Sequence, residues 1–227
     1  MRAPISVIIP TLNAAPALGD CVASLFEGLN AGLIYELILS DGGSGDDTAD
    51  MAEGLGARMI VGKPGRGGQL GRAANQAGAE WLLFLHADTR LLAGWSDAAQ
   101  AHIAAYPDKA ACFRLAFDAP GLPARWVAGW ANLRTRLFRL PYGDQGLLIS
   151  RTLYDRIGGY QDVPLMEDVL IARALWPHLR LLSSVAETSA AKYLKRGWSR
   201  QGVRNLWTLA RFFAGADPAK LARSYRR

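Results

Sequence analysis

Cysteine and histidine are scarce: the 227 residues include two cysteines and three histidines. Cys21 and Cys112 lie far apart, with no CxxC spacing and no paired histidines, which argues against a disulfide framework or a zinc site. No apolar run reaches the roughly 18 residues that a membrane span requires. The start, Met1-Arg2-Ala3-Pro4, leads into a short apolar stretch without a signal-peptide pattern, so a soluble cytoplasmic protein is expected. Charged side chains are only 20% of the chain and apolar ones 50%, which excludes intrinsic disorder. There is no internal repeat, no low-complexity block and no linker long enough to separate a pair of domains. Size scaling gives a folded surface of about 10,000 Å², with about 70% of the unfolded chain's surface buried, enough for one sizeable core. Two nucleotide signatures are missing as well. Gly42-Gly43-Ser44-Gly45-Asp46-Asp47 lacks the last glycine of GxGxxG, and Gln69-Leu70 stand where a P-loop needs Lys and Ser/Thr. These glycines read first as turn residues with positive φ.

What is present is a patterned first half. Ile5-Ser6-Val7-Ile8-Ile9, Tyr35-Glu36-Leu37-Ile38-Leu39, Arg58-Met59-Ile60-Val61 and Trp81-Leu82-Leu83-Phe84-Leu85 are short apolar runs expected to be strands. Between them, Leu18, Val22, Leu25, Phe26 and Leu29 recur at helical spacing behind Pro16. A second helix is expected after the cap candidates Asp46, Asp47 and Thr48, and an alanine-rich helix runs to about Gly78. Strand and helix thus alternate four times in 90 residues, the pattern of a mostly parallel α/β sheet flanked by helices, with its site at the carboxyl ends of the strands. The second half is less regular: strands are expected near 111–117 and 147–150 and a helix from Glu167, an α+β extension.

Polar residues cluster where the site belongs. Thr11 and Asn13, Asp41, Arg66, and His86 and Asp88 each follow a strand or lie in its loop. Asp88, after an unbroken apolar strand, suits a hard divalent cation such as Mg²⁺ or Mn²⁺ shared with a diphosphate. Glu167-Asp168 stands in a first helical turn, where successive residues project about 100° apart and at most one faces a given site. Gly143-Asp144-Gln145-Gly146 is a third acidic turn.

In order, Ser6-Val7-Ile8-Ile9-Pro10-Thr11-Leu12-Asn13, Glu36-Leu37-Ile38-Leu39-Ser40-Asp41-Gly42-Gly43-Ser44, Phe84-Leu85-His86-Ala87-Asp88, residues 151–160 and Met166-Glu167-Asp168 resemble a family 2 glycosyltransferase of the GT-A fold. His86-Ala87-Asp88, Gly143-Asp144-Gln145-Gly146 and Pro164-Leu165-Met166-Glu167-Asp168 resemble its radical-SAM/selenodomain-associated transferase 2 subgroup, sometimes named for arsenosugar biosynthesis. The resemblance implies one domain over residues 1–227, with a nucleotide-binding half (1–90), an acceptor-side half (91–190) and a basic helical tail (191–227). It implies a metal-dependent, inverting transfer of sugar from a nucleotide-sugar, typically a UDP-sugar, to a small-molecule or lipid-linked hydroxyl acceptor. Pro10, Thr11 and Asn13 would border the nucleotide, Asp41 would hydrogen-bond the base, and Arg66 would lie beside the base or phosphates. His86 would reach the ribose, Asp88 would ligate Mg²⁺ or Mn²⁺, and Asp168 would be the catalytic base. Asp144, Gln145, Glu167, Lys195, Arg196 and Trp198 are candidates for the acceptor or phosphate side. Two departures stand out: Asn13-Ala14 replaces the Asn-Glu of many members, and His86 replaces the first acid of the metal motif.

Charge is uneven. Residues 1–191 hold 16 basic and 19 acidic side chains, residues 192–227 ten basic and one acidic. The tail reads as amphipathic helix whose cations could meet a diphosphate, an anionic membrane surface or a second subunit in a homodimer. Trp126, Val127, Trp130, Leu133, Leu137 and Phe138, interleaved with arginines, read first as an amphipathic helix packed on the sheet, and second as an acceptor-side lid or lipid-facing surface. Two other classes stay open. A sugar-nucleotide nucleotidyltransferase would carry a basic, glycine-rich loop after the first strand, unlike Thr11-Leu12-Asn13-Ala14-Ala15. A nucleic-acid binder would use the tail, but no binding module is recognisable and no nucleic acid is expected.

Overall fold

The computed structural model describes residues 3–226. Strands β1 (Ile5–Thr11), β2 (Ile34–Asp41), β3 (Arg58–Val61) and β4 (Trp81–Phe84) are joined through helices α1 (Ala15–Ala23), α2 (Phe26–Asn30), α3 (Thr48–Gly54) and α4 (Arg66–Ala74). Then come β5 (Thr89–Leu91), α5 (Trp95–Ala105), β6 (Ala110–Phe117), α6 (Leu122–Phe138), β7 (Leu147–Ser150), α7 (Arg151–Arg156), α8 (Glu167–Ala174), β8 (Leu179–Thr188), α9 (Ala191–Arg196), α10 (Trp198–Phe213) and α11 (Pro218–Arg226). All eight strands form one sheet in the order β3-β2-β1-β4-β7-β6-β8-β5. The first four positions are parallel, β7 runs antiparallel to both β4 and β6, and β5 is antiparallel to β8.

The short apolar runs become strands because both faces are covered. Along β1, Ile5, Val7 and Ile9 enter one core with Leu18, Cys21 and Trp95, while Ile8 enters the other with Leu70, Phe84 and Ile171. β1 and β2 end level, Thr11 opposite Asp41, so the loops that leave them start side by side.

Several expectations change. The helix expected over 18–29 breaks in two, since Trp95 Nε1 donates to the Ser24 carbonyl (3.0 Å) and the Ser24 hydroxyl to that of Cys21 (2.6 Å). β5 and β8 have no counterpart among the expected strands. Gly67 and Gly68 are needed for close packing rather than for positive φ: a Cβ on Gly67 would lie 2.1 Å from the Gln161 carbonyl oxygen, and one on Gly68 2.5 Å from Asp162.

The largest correction concerns α6. It lies on β6 through Ala124, Ala128 and Ala131, which pack with Leu115 and Phe117, while Trp126 is 78% exposed and Trp130 50%. Its big apolar side chains face away from the sheet. The total surface, 11,408 Å², exceeds the size-scaling value of about 10,000 Å² in line with this. Among the described residues, no helix is long and apolar enough to cross a membrane.

Candidate functional site

The carboxyl end of β2 carries Asp41, which is 1% exposed. One of its oxygens accepts from the Thr11 hydroxyl (2.9 Å) and the Ser44 hydroxyl (2.5 Å), the other from the Gly43 and Ser44 amides (2.7 Å each). Burial would raise its pKa, but the Ser44, Thr11 and Gly43 hydrogen bonds outweigh this and hold it below the ordinary carboxylate value. All four acceptor positions of Asp41 are taken by the chain, which fixes the shape of this loop. Asn13, at φ 51°, closes the same turn: its amide donates to Ser44 Oγ (2.8 Å) and its side-chain oxygen accepts from Gly45 N (2.9 Å). Gln69, to which no role fell from sequence, stitches the two strand ends by donating to the Thr11 and Ser40 carbonyls (2.8 and 2.6 Å). Thr11 is buried, whereas Asn13 is exposed and Pro10 partly so.

Beyond β4 the chain carries His86 and Asp88 and immediately descends as β5, which holds the loop to the β8 edge. The Asp88 carbonyl accepts from Ser189 N (3.1 Å), so α9 begins beside it. His86 Nδ1 lies 2.6 Å from Asp144 Oδ1. Gly143 allows this approach: a Cβ there would be 2.7 Å from His86 Cε1. Partial burial would raise the Asp144 pKa, but the His86 hydrogen bond and the charges of His86, Arg66 and Lys192 drive it far down. His86, Asp88 and Asp144 each offer a ligand atom, all within 4.8 Å of one another. An imidazole and two carboxylates of this spacing fit a hard divalent cation that keeps further positions for water or phosphate oxygens.

Asp168 joins the group through Gly143, whose amide donates to its Oδ2 (3.0 Å); its Oδ1 accepts from Val169 N (2.8 Å). Met166, at φ 70°, sets the left-handed entry to α8 that brings Glu167 and Asp168 here. Glu167 is 4% exposed and faces Arg66 at 3.4 Å. Burial and then the charge of Asp168 raise its pKa against the pull of Arg66. For the half-exposed Arg66, desolvation by the surrounding chain is outweighed by the fields of Glu167, Asp144, Asp168 and Asp88, which raise its pKa. One guanidinium thus lies in the field of all four acids.

The remaining candidates fall elsewhere. Gln145 is fully buried, accepting from the Thr135 hydroxyl (2.9 Å) and Tyr142 N (3.0 Å) and donating to the Phe113 carbonyl (2.9 Å), so it anchors the turn and cannot meet an acceptor. Trp198 stacks on Tyr193 (4.9 Å between ring centroids) and meets Phe117 edge-on (5.2 Å), a packing role. Lys195 and Arg196 are exposed on α9, and the α9 cation whose field reaches Asp144 is Lys192, which no motif had marked. Cys21 donates to the His86 carbonyl (3.4 Å); burial and then Asp88 push its thiol up to about 12, so it stays protonated.

The central sheet and its flanking helices match the GT-A fold, and His86, Asp88 and Asp144 bring their ligand atoms within 4.8 Å of one another beyond the strand ends. The family model for glycosyl transferase family 2 matches residues 6–160, and the chain belongs to that family. A PGL/p-HBAD biosynthesis glycosyltransferase of Mycobacterium bovis is 33% identical over 171 residues, 70% of this chain and 64% of that protein, so the chain spans under two thirds of that relative. Among solved structures, S. aureus TarS 1-349 in complex with UDP aligns with TM-score 0.62 and 17% identity over 98% of this chain and 70% of that one. Mycobacterium tuberculosis glucosyl-3-phosphoglycerate synthase in complex with Mn²⁺, UDP and glucosyl-3-phosphoglycerate aligns with TM-score 0.58 and 21% identity over 89% and 78%.

Proposed function

We propose that the chain transfers a sugar from a nucleoside diphosphate-sugar to a hydroxyl acceptor with inversion, using a divalent cation. The observation that carries this reading is the convergence of His86, Asp88 and Asp144 with Asp168, linked through the Gly143 amide. UDP in the TarS and synthase structures supports uridine as the nucleoside, and Mn²⁺ in the latter supports Mn²⁺ or Mg²⁺ as the ion. Asp88 and Asp144 would hold the ion, Asp144 bringing the second negative charge that His86 does not. Bound there, the ion would offset charge on the leaving diphosphate.

The chain's own groups do the rest. The Gly143 and Val169 amides fix Asp168, which accepts the acceptor hydroxyl proton as that oxygen attacks the anomeric carbon from the face opposite the diphosphate. Arg66, held by Glu167, faces the departing phosphates. The Asp41 turn and Gln69 keep the nucleotide loop in shape. On this reading the chain is also a member of the radical-SAM/selenodomain-associated subgroup, a proposal supported by the motifs around His86-Ala87-Asp88 and Gly143-Asp144-Gln145-Gly146.

Asp168→Asn should lower transfer by about 10²–10⁴-fold while UDP still binds. Asp88→Asn should remove Mn²⁺ binding measured by calorimetry or electron paramagnetic resonance. Turnover of Asp168→Asn at the wild-type rate would eliminate the base assignment. Release of pyrophosphate in place of UDP would make the protein a nucleotidyltransferase instead.

A further inference from the structure

Two helices in this molecule are built inside out. α6 buries alanines and turns Leu122, Trp126, Trp130, Leu133 and Leu137 outward in a stripe spaced by three and four residues along its whole length. Leu122, Trp126, Trp130 and Leu133 also line an open groove of about 470 Å³ with Arg125 and Gly129. α10, which contacts α6, does the same with polar residues. Gln201 and Thr208 are its buried positions; Gln201 and Asn205 bond to Tyr225 and Tyr193, and Arg204 to the carbonyls of Ser224 and Tyr225. Its exposed large apolar side chains are Val203 (66%), Leu206 (41%), Trp207 (65%) and Phe213 (48%). A soluble surface seldom leaves so much contiguous apolar side chain in water without a partner.

The charge pattern identifies that partner. Residues 119–143 carry four arginines and no carboxylate, and residues 188–216 carry six basic side chains and no carboxylate; of these, Arg134 is buried against Tyr142 and Arg204 bonds inward, leaving eight for the surface. We infer that α6 and α10 form a face that lies on an anionic lipid bilayer, with Trp, Leu and Phe in the headgroup boundary and the arginines and lysines against lipid phosphates. Trp and Arg are the residues that favour this boundary, and an interfacial helix needs only an apolar face flanked by cations. A symmetric dimer through the same face would set its arginines and lysines against their own copies, with no carboxylate in either segment to pair them. A nucleic acid would meet the cations but leave the leucines and phenylalanine unsatisfied. The inference rests on these helices alone and is independent of the transfer chemistry.

Flotation with vesicles tests it. At low salt the full chain should float with phosphatidylglycerol–phosphatidylcholine vesicles, not with phosphatidylcholine alone, and tryptophan emission should shift to the blue. Trp126→Ser and Trp207→Ser should each weaken binding roughly tenfold or more, without lowering the melting temperature or UDP binding. Raising salt should weaken binding further as the Debye length falls below about 8 Å. No flotation at low salt, or flotation indifferent to both substitutions, would overturn the inference, and UDP binding measured on the same samples would show the donor site untouched. A dimer by light scattering that is lost in Trp126→Ser, with no vesicle binding, would overturn it in favour of a second copy. Salt-sensitive RNA binding that both serine variants retain, again without vesicle binding, would overturn it in favour of a nucleic-acid surface.

Discussion

Asp41 is an anion whose lone pairs all point back into its own loop, and that has a measurable cost when the charge goes. Asp41→Asn would set an amide NH₂ against two backbone donors or two hydroxyls, lowering stability by about 2–3 kcal/mol in urea denaturation. The sign with pH follows from its lowered folded-state pKa. The unfolded chain binds the proton more readily, so this contribution is complete above the ordinary value of about 3.9 and fades as pH falls below it. The variant's acid limb should therefore be flatter than that of the parent. Gly143 makes a second test. A methyl there must push the His86 ring off its 2.6 Å contact with Asp144. Gly143→Ala should cost about 1–3 kcal/mol of stability and reduce transfer by roughly a hundredfold, since a displacement near 1 Å suffices for that. A variant with normal turnover would free His86 of any role in the site.

At the scale of elements, α6 makes the sharpest prediction, because its buried and exposed sets are the reverse of what residue size favours. Ala131→Leu, at a fully buried position against β6, should destabilise by about 1–3 kcal/mol through overpacking. Trp126→Ser, a far larger chemical change, should stay within about 0.5 kcal/mol because its side chain packs on little. Thermal melts of the two variants compare them directly. This is also where sequence reading fell short. Periodicity marks that α6 has an apolar stripe but not which way it faces, and the alanines that pack the sheet look neutral in any pattern. β1, β2, β4, β6 and β7 were legible because each is a short apolar run between turn residues. β5 was not: its three residues are a strand only because β8 lies beside them. β8 itself alternates poorly, with Ser183-Ser184 in its middle.

For the whole molecule, the individual acids were legible from their places after strands or in a first helical turn, but their meeting was not. His86 and Asp144 are 58 residues apart, and Arg66 and Glu167 are 101 apart. Such pairings follow from the sheet order, in which β7 is set against β4 and so brings the 143–146 turn beside the end of β4. Gln145 could not be told from an acceptor ligand, because its inward direction is decided by Thr135, Tyr142 and Phe113.

One backbone bond, from the Ser189 amide to the Asp88 carbonyl, fastens the chain just ahead of α9 to the loop that carries His86 and Asp88. Linked equilibria are reciprocal, so stiffening either end must stiffen the other. UDP with Mn²⁺ should therefore slow deuterium uptake along α9. Unchanged uptake on ligand addition would mean that the two ends breathe separately.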